Sequence, residues 1–346
     1  MDKPIRTRDS YWDNLKGVLI TLVVCGHLCE QYIDDSNLLR HLWIVVYSFH
    51  MPLFIFVNGY FARRSSKPAG AKSLRMLKYY LLMQALFVLG DWLIRDREFR
   101  ISLLSDPSYC CWYLLFLVYA YFIMKFLPKE SGQVLRWLIV SLILGLLIGF
   151  DTSVGHAYGV GRTFYFLPYF FLGALWADTG RGFKLTRKKR GISAVLAVAA
   201  IFVLWKLGDA GWFNRLVFSG HQSYEALYPD HQMFALLNKA AAYTAAVLIS
   251  FIVLHLIPRR KTLFCLLGKH TLLIYLVHIF VLPMEFYLIR NVEFTGEKEL
   301  NSAIILLILA VTSAIICYGL SIVHRFVFSN LAYMIKEEKV FERSRK

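Results

Sequence analysis

Asp13-Asn14-Leu15-Lys16-Gly17-Val18-Leu19-Ile20-Thr21-Leu22-Val23-Val24-Cys25-Gly26-His27-Leu28-Cys29 is the stretch that decides the fold. Its long apolar run contains no proline, and a helix through it rises about 1.5 Å per residue, enough with its flanks to cross ~30 Å of hydrocarbon. Similar runs recur to the end of the chain. Read in order they give ten spans, at 14–33, 42–61, 74–94, 110–127, 135–150, 163–177, 191–207, 233–256, 263–288 and 301–328, the fifth and sixth being short. The expected fold is all-α: a polytopic integral membrane protein of about ten transmembrane helices. Its connectors are brief, so the chain reads as a single domain, 1–346, with short cytoplasmic tails at about 1–13 and 329–346. No small-residue cleavage site closes the first run, which therefore reads as a retained span and not a signal peptide.

Composition points the same way. The 346 residues are 58% hydrophobic and 18% charged, whereas soluble domains carry about a quarter charged residues. A net charge of +16 would suit nucleic acid, but the basic residues lie between apolar runs and not along one soluble face, so nucleic acid is not the expected partner. With the N-terminus in the cytoplasm, 29 of the 39 Lys and Arg fall on the inner side and 10 on the outer. That asymmetry places both termini inside, in a multi-pass protein of the cell (plasma or inner) membrane. Six cysteines lie in or beside apolar segments with no disulfide or zinc spacing. In Cys25-Gly26-His27-Leu28-Cys29 the imidazole points about 200° from Cys25, so no metal site is expected.

Chemistry is carried by the ionisable residues in these spans. Lys16 and His27 are separated by about 20° in helical phase and about 16 Å in rise, and Asp13 is about 40° off the same stripe. Lys16 also suits a snorkelling anchor and His27 a packing histidine, but intramembrane ionisable groups are functional candidates by default. The second span reads Ser48-Phe49-His50-Met51-Pro52-Leu53-Phe54 and ends at Asn58-Gly59-Tyr60. Pro52 cannot donate to the carbonyl of Ser48, and His50 is expected near the depth of His27. Arg63, Arg64, Lys67, Lys72, Arg75 and Lys78 follow with no acid among them. Such a cluster at a cytoplasmic mouth suits a phosphate-bearing ligand or contact with anionic lipid.

Lys16-x10-His27 preceded by Asp13, with Phe49-His50-Met51-Pro52-Leu53-Phe54 and Asn58-Gly59-Tyr60, resembles the membrane-bound acyltransferase family 3, in particular the branch related to fucose 4-O-acetylases. Arg75-x-x-Lys78, Trp112-Tyr113-Leu114, Gly161-Arg162-Thr163 with Leu167 to Gly173, and Ile274-Tyr275-Leu276-Val277-His278 resemble further blocks, so the likeness runs from about residue 9 to 285. The chain has Lys16 and Lys78 where Arg is commoner. It has Asn58 where the branch often has Ser, so position 58 is given no nucleophile's role. The resemblance implies an acyl-CoA donor, acetyl-CoA first among them, used as a co-substrate and not permanently bound. It also implies transfer to a hydroxyl of a cell-surface or exported sugar. Arg75, Lys78 and Lys72 would meet the coenzyme A phosphates, and His27 would act as base with Lys16, Asp13 and His50 around it. Asp13 would orient Lys16. Arg162 and His278 would face the acceptor or a developing oxyanion. A transporter or flippase for a glycan or lipid-linked precursor would also place ionisable groups at depth. It would further call for inverted repeats and paired broken helices, and the sequence has neither.

Overall fold

A computed structural model describes residues 9–34, 36–95, 105–127, 131–153, 157–180, 186–289, 295 and 297–344. The basic residues Lys3, Arg6 and Arg8 lie outside them. The described residues are helical with no β-strand. In chain order the helices are α1 (Ser10–Cys29), α2 (Asn37–Arg64), α3 (Ala69–Arg95), α4 (Cys111–Met124), α5 (Ser131–Leu147), α6 (Val160–Asp178), α7 (Arg187–Asp209), α8 (Tyr224–Leu227), α9 (Gln232–Leu256), α10 (Phe264–Lys269), α11 (Thr271–Ile289) and α12 (Lys298–Ser344).

Each expected span is occupied by helix. Among the described residues, five helices are long and apolar enough to cross a membrane: α2, α5, α7, α9 and α12. Two shorter apolar ones, Cys111–Met124 and Thr271–Leu282, add to them. α1 carries Asp13 and Lys16, and α3 carries Lys72, Arg75 and Lys78, in the N-terminal half of each helix. Ile139, Val195, Val198 and Phe202 are 50%, 68%, 65% and 56% exposed on α5 and α7. Apolar surface of this kind is suited to hydrocarbon and not to water. Free cysteines at 29, 110, 111, 265 and 317 are buried as small apolar groups.

The chain divides into two compact units, Met1–Trp43 with Ile257–Lys346, and Ile44–Leu256. In the first, α1 begins at Asp9, whose carboxylate accepts from the Tyr11 N–H at 2.9 Å. α1 and α10 meet backbone to backbone through two glycines. A Cβ at Gly17 would sit 2.8 Å from the Phe264 carbonyl carbon, and one at Gly268 would sit 2.6 Å from that of Asp13. Small residues permit such an approach inside a bilayer, where van der Waals contact holds helices together. The expected span 263–288 is thus two helices, α10 and α11, parting at His270. Asn14, fully buried, fastens the preceding loop. Its Nδ2 donates to the carbonyls of Pro258 (2.8 Å) and Arg260 (2.7 Å), and its Oδ1 accepts from Thr262 Oγ1 (2.6 Å). In the second unit Gly59 and Gly173 bring α2 and α6 together in the same way, against Phe170 and Phe56.

Candidate active site

The first unit holds two of the expected groups side by side. Lys16 Nζ lies 3.0 Å from Asp13 Oδ1, with the carboxylate buried and the ammonium stem partly so. The two are three positions apart on α1 and form an ion pair. Eleven residues on, the His27 ring stands 5.5 Å from that of His278, centroid to centroid. His278 is fully buried. Its Nδ1 lies 2.8 Å from the Tyr275 carbonyl and 3.1 Å from that of Ile274. Carbonyls only accept, so Nδ1 carries the proton and Nε2 the lone pair. That Nε2 has no hydrogen-bond partner among the described residues. His27 Nδ1 lies 3.3 Å from Glu30 Oε2, one turn along α1. A carboxylate accepting from Nδ1–H fixes the tautomer with its lone pair on Nε2, the arrangement a general base requires. Glu30 was not singled out in the sequence, although its three-residue spacing from His27 puts it on the neighbouring helical position.

The second unit holds His50, Arg75, Lys78, Lys72 and Arg162. α2 runs unbroken through Pro52. His50 is buried and its Nδ1 donates to the Val46 carbonyl at 2.6 Å. Asn58 is a structural amide here: its Nδ2 donates to Phe54 O (2.8 Å) and to the Tyr113 hydroxyl (2.6 Å), while Tyr121 donates to its Oδ1 (3.4 Å).

The cations between residues 63 and 78, of which Arg63 and Arg64 close the last turn of α2, have different fates. Arg63 is taken up by Asp178 in a two-point contact, Nε to Oδ1 at 2.8 Å and Nη2 to Oδ2 at 2.9 Å, an acid 115 positions away that sequence proximity hides. Lys72 donates to the Ala62 carbonyl at 3.2 Å, covering the end of α2. Burial first, then the charges of Arg75 and Lys67, lowers its ammonium from the ordinary value. Arg75 and Lys78 are exposed and form no ion pair among the described residues, so both remain available to an anion.

Arg162 starts α6. Its Nε donates to Ser219 O (3.2 Å), its Nη2 donates to His221 Nδ1 (3.1 Å), and its guanidinium lies 5.0 Å over the Trp112 indole. Trp112 in turn stacks on Phe166 at 5.0 Å. Tyr109 (φ 48°) and Tyr158 (φ 52°), just before the helices bearing Trp112 and Arg162, hold left-handed backbone, a strained state for non-glycine residues that persists where packing enforces it. The sequence missed Lys239 on α9. It is 2% exposed, its Nζ lies over the rings of Tyr224 (4.9 Å) and Tyr165 (5.6 Å), and it has no hydrogen-bond partner among the described residues.

A family model described as an acyltransferase domain, acyltransferase family 3, matches residues 9–322. The chain belongs to that family. The match reaches into both units and takes in every candidate site residue from Asp13 to His278. The acyltransferase is 28% identical over 294 residues to nodulation protein NolL of Sinorhizobium fredii, covering 78% of this chain and 77% of that protein. It is 45% identical to nodulation protein NolL of Mesorhizobium japonicum over 56 residues, 15% of each chain. No solved structure matches. Membership of that family makes the protein a transferase that moves acyl groups.

Proposed function

We propose that the protein is an O-acetyltransferase of the branch related to fucose 4-O-acetylases. It takes acetyl from cytoplasmic acetyl-CoA and places it on a hydroxyl of a cell-surface or exported sugar. In this reading ten helices cross the plasma or inner membrane with both termini inside, in keeping with the 29-to-10 split of basic residues. Exposed, unpaired Arg75 and Lys78 then sit at the cytoplasmic mouth and bind the phosphates of coenzyme A, with Lys72 holding the end of α2 behind them. His27 lies about 16 Å above Lys16 along α1, in the outer half of the bilayer. There it takes the proton of the acceptor hydroxyl as the oxygen attacks the thioester carbonyl, and the C–S bond breaks to release the coenzyme thiolate. His50 serves the same step, Lys16 and Asp13 hold the inner end of the helix, and Arg162 and His278 lie toward the acceptor.

The observation that carries this reading is the Glu30–His27–His278 group, an oriented imidazole beside a second one, in a chain of an acyltransferase family. The test is release of free coenzyme A, quantified by mass spectrometry, from purified protein given acetyl-CoA with and without sugar acceptors. Sugar-dependent release with an acetylated product supports the proposal. Acetyl-CoA left intact with every sugar, while the protein moves the sugar across a vesicle membrane, would support a transporter instead.

A further inference from the structure

We propose that His221 is a positioning residue that holds Arg162 through a neutral imidazole, so that acidification frees the arginine. The hold itself does not depend on the acetyl-transfer reading above. Its effect on the rate rests on that reading, in which Arg162 lies toward the acceptor.

Arg162 takes two of its contacts from one short stretch, Ser219-Gly220-His221. The Ser219 carbonyl accepts from Nε at 3.2 Å, the His221 imidazole meets Nη2 at 3.1 Å, and the Trp112 ring lies 5.0 Å from the guanidinium. The stretch is fixed where it turns. The short helical turn Arg215–Ser219 is followed by Gly220, whose N–H donates to the Val217 carbonyl at 3.3 Å and whose φ is +71°. A Cβ at Gly220 would lie 2.5 Å from the Tyr165 ring, three positions along α6 from Arg162. The loop is therefore seated on the helix that carries the arginine, and its two acceptors converge on one guanidinium.

The protonation state of His221 decides whether the second contact exists. A guanidinium only donates, so Nδ1 accepts and the neutral ring carries its hydrogen on Nε2. The Gln222 carboxamide stands 3.0 Å from that Nε2 and faces it with its oxygen, the amide being turned accordingly. An imidazolium gains a hydrogen on Nδ1. It keeps the Gln222 contact, but it turns a donor toward a donor and sets two cations 3.1 Å apart. Arg162 then retains the Ser219 carbonyl and the indole and loses the partner that fixes the end of its fork. Two further charged side chains line the same small cavity as His221: Asp151, in the turn after α5, and Lys239 on α9. With Arg162 they make two cations and one carboxylate around the ring. Imidazole is the side chain that changes charge under mild acidification, and a cation serves a developing negative charge only when it is in place beforehand.

Two measurements on the full-length protein in detergent test the proposal. The first needs no activity. It is a double-variant cycle on apparent Tm with Arg162→Met, His221→Leu and both together, at pH 8 and pH 5.5. At pH 8 the double variant should lose roughly 2 °C less than the sum of the singles; at pH 5.5 that coupling should vanish or reverse. Additive singles at pH 8 overturn the hold, as does coupling unchanged at pH 5.5. The second is kcat for acetyl transfer. His221→Leu should lose roughly 10–100-fold at pH 8. His221→Asn, which offers an oxygen in place of Nδ1 and does not titrate, should recover most of that loss. Wild type and His221→Asn share His27, so its titration cancels in the ratio of their rates, and wild type over His221→Asn should fall from pH 8 to pH 5.5. A flat ratio, or a His221→Asn enzyme no better than His221→Leu, overturns the positioning role. Should His221→Leu fail to fold, His221→Asn takes its place in the cycle and its rate ratio decides. Coupling lost on acidification in a protein that releases coenzyme A with no sugar sinks the transfer reading and leaves the hold standing.

Discussion

Gly17→Ala is the sharpest test of how the first unit is held together. The helical backbone at Gly17 accepts alanine, which alone would stabilise α1 by up to about 1 kcal/mol. The obstacle is distance. The new Cβ would lie 2.8 Å from the Phe264 carbonyl carbon and 2.9 Å from its Cβ, against about 3.5 Å for carbon atoms at rest. α1 and α10 would therefore have to part by at least ~0.7 Å, and by more to clear the Phe264 carbonyl oxygen, which is nearer still; the neighbours that resist are backbone atoms of a helix with no rotamer to change. Overpacking of this kind costs about 1–3 kcal/mol, enough to exceed the propensity gain. Gly268→Ala presses on the Asp13 carbonyl from the other side, at 2.6 Å from its carbon and nearer still to its oxygen, and asks for at least ~0.9 Å. One separation relieves both clashes, so the double variant should be less destabilised than the sum of the singles. Gly70→Ala on α3 meets nothing within 4 Å and serves as the matched control. Thermal unfolding in detergent should show Tm lowered by several degrees for Gly17→Ala and Gly268→Ala, and unchanged or slightly raised for Gly70→Ala. Two destabilised singles whose effects add fully, or two singles as stable as the control, would refute the close α1–α10 contact.

The remaining expectations concern the site and the topology. Arg75→Ala with Lys78→Ala should weaken acetyl-CoA binding, by a factor that shrinks at high salt as phosphate contacts do; unchanged affinity in the double variant moves the donor site elsewhere. Glu30→Gln keeps shape but removes the carboxylate beside His27 Nδ1, and should lower kcat by about tenfold or more with KM little changed. A Glu30→Gln enzyme with wild-type kcat would mean that this pair does not orient the base. Reporter fusions at 68, 131, 185 and 262 should read cytoplasmic and those at 36, 100 and 296 external, and two or more reversed sites would overturn the ten-span arrangement.

The helices were legible because an apolar run long enough to cross hydrocarbon has few other outcomes. The break at His270 was passed over, although Gly268-Lys269-His270-Thr271 interrupts the apolar run from 263 to 288 at that point. Beside the break the backbone of Asp13 lies on Gly268, a contact 255 positions apart that sequence does not reveal. In the site, spacing on one helix was readable, so the Asp13–Lys16 pair followed from sequence alone. Pairings between distant segments were not. Arg63 looked like one more free cation until Asp178 closed on it. Lys239 went unmarked, since nothing local reveals that Tyr165 and Tyr224 enclose it. Glu30 was overlooked at the end of its helix, although its position relative to His27 was computable.

The most direct test of the central claim is the single-turnover rate of acetyl transfer by His27→Ala and His27→Phe, measured beside acetyl-CoA affinity and Tm in the same preparations. A base that takes the acceptor's proton is worth roughly 10²–10⁴-fold in rate. Both variants should therefore lose transfer on that scale, with donor affinity and stability nearly unchanged. Substantial transfer by His27→Phe, where the ring is filled but the proton acceptor is gone, would contradict the assignment and make His27 a packing residue.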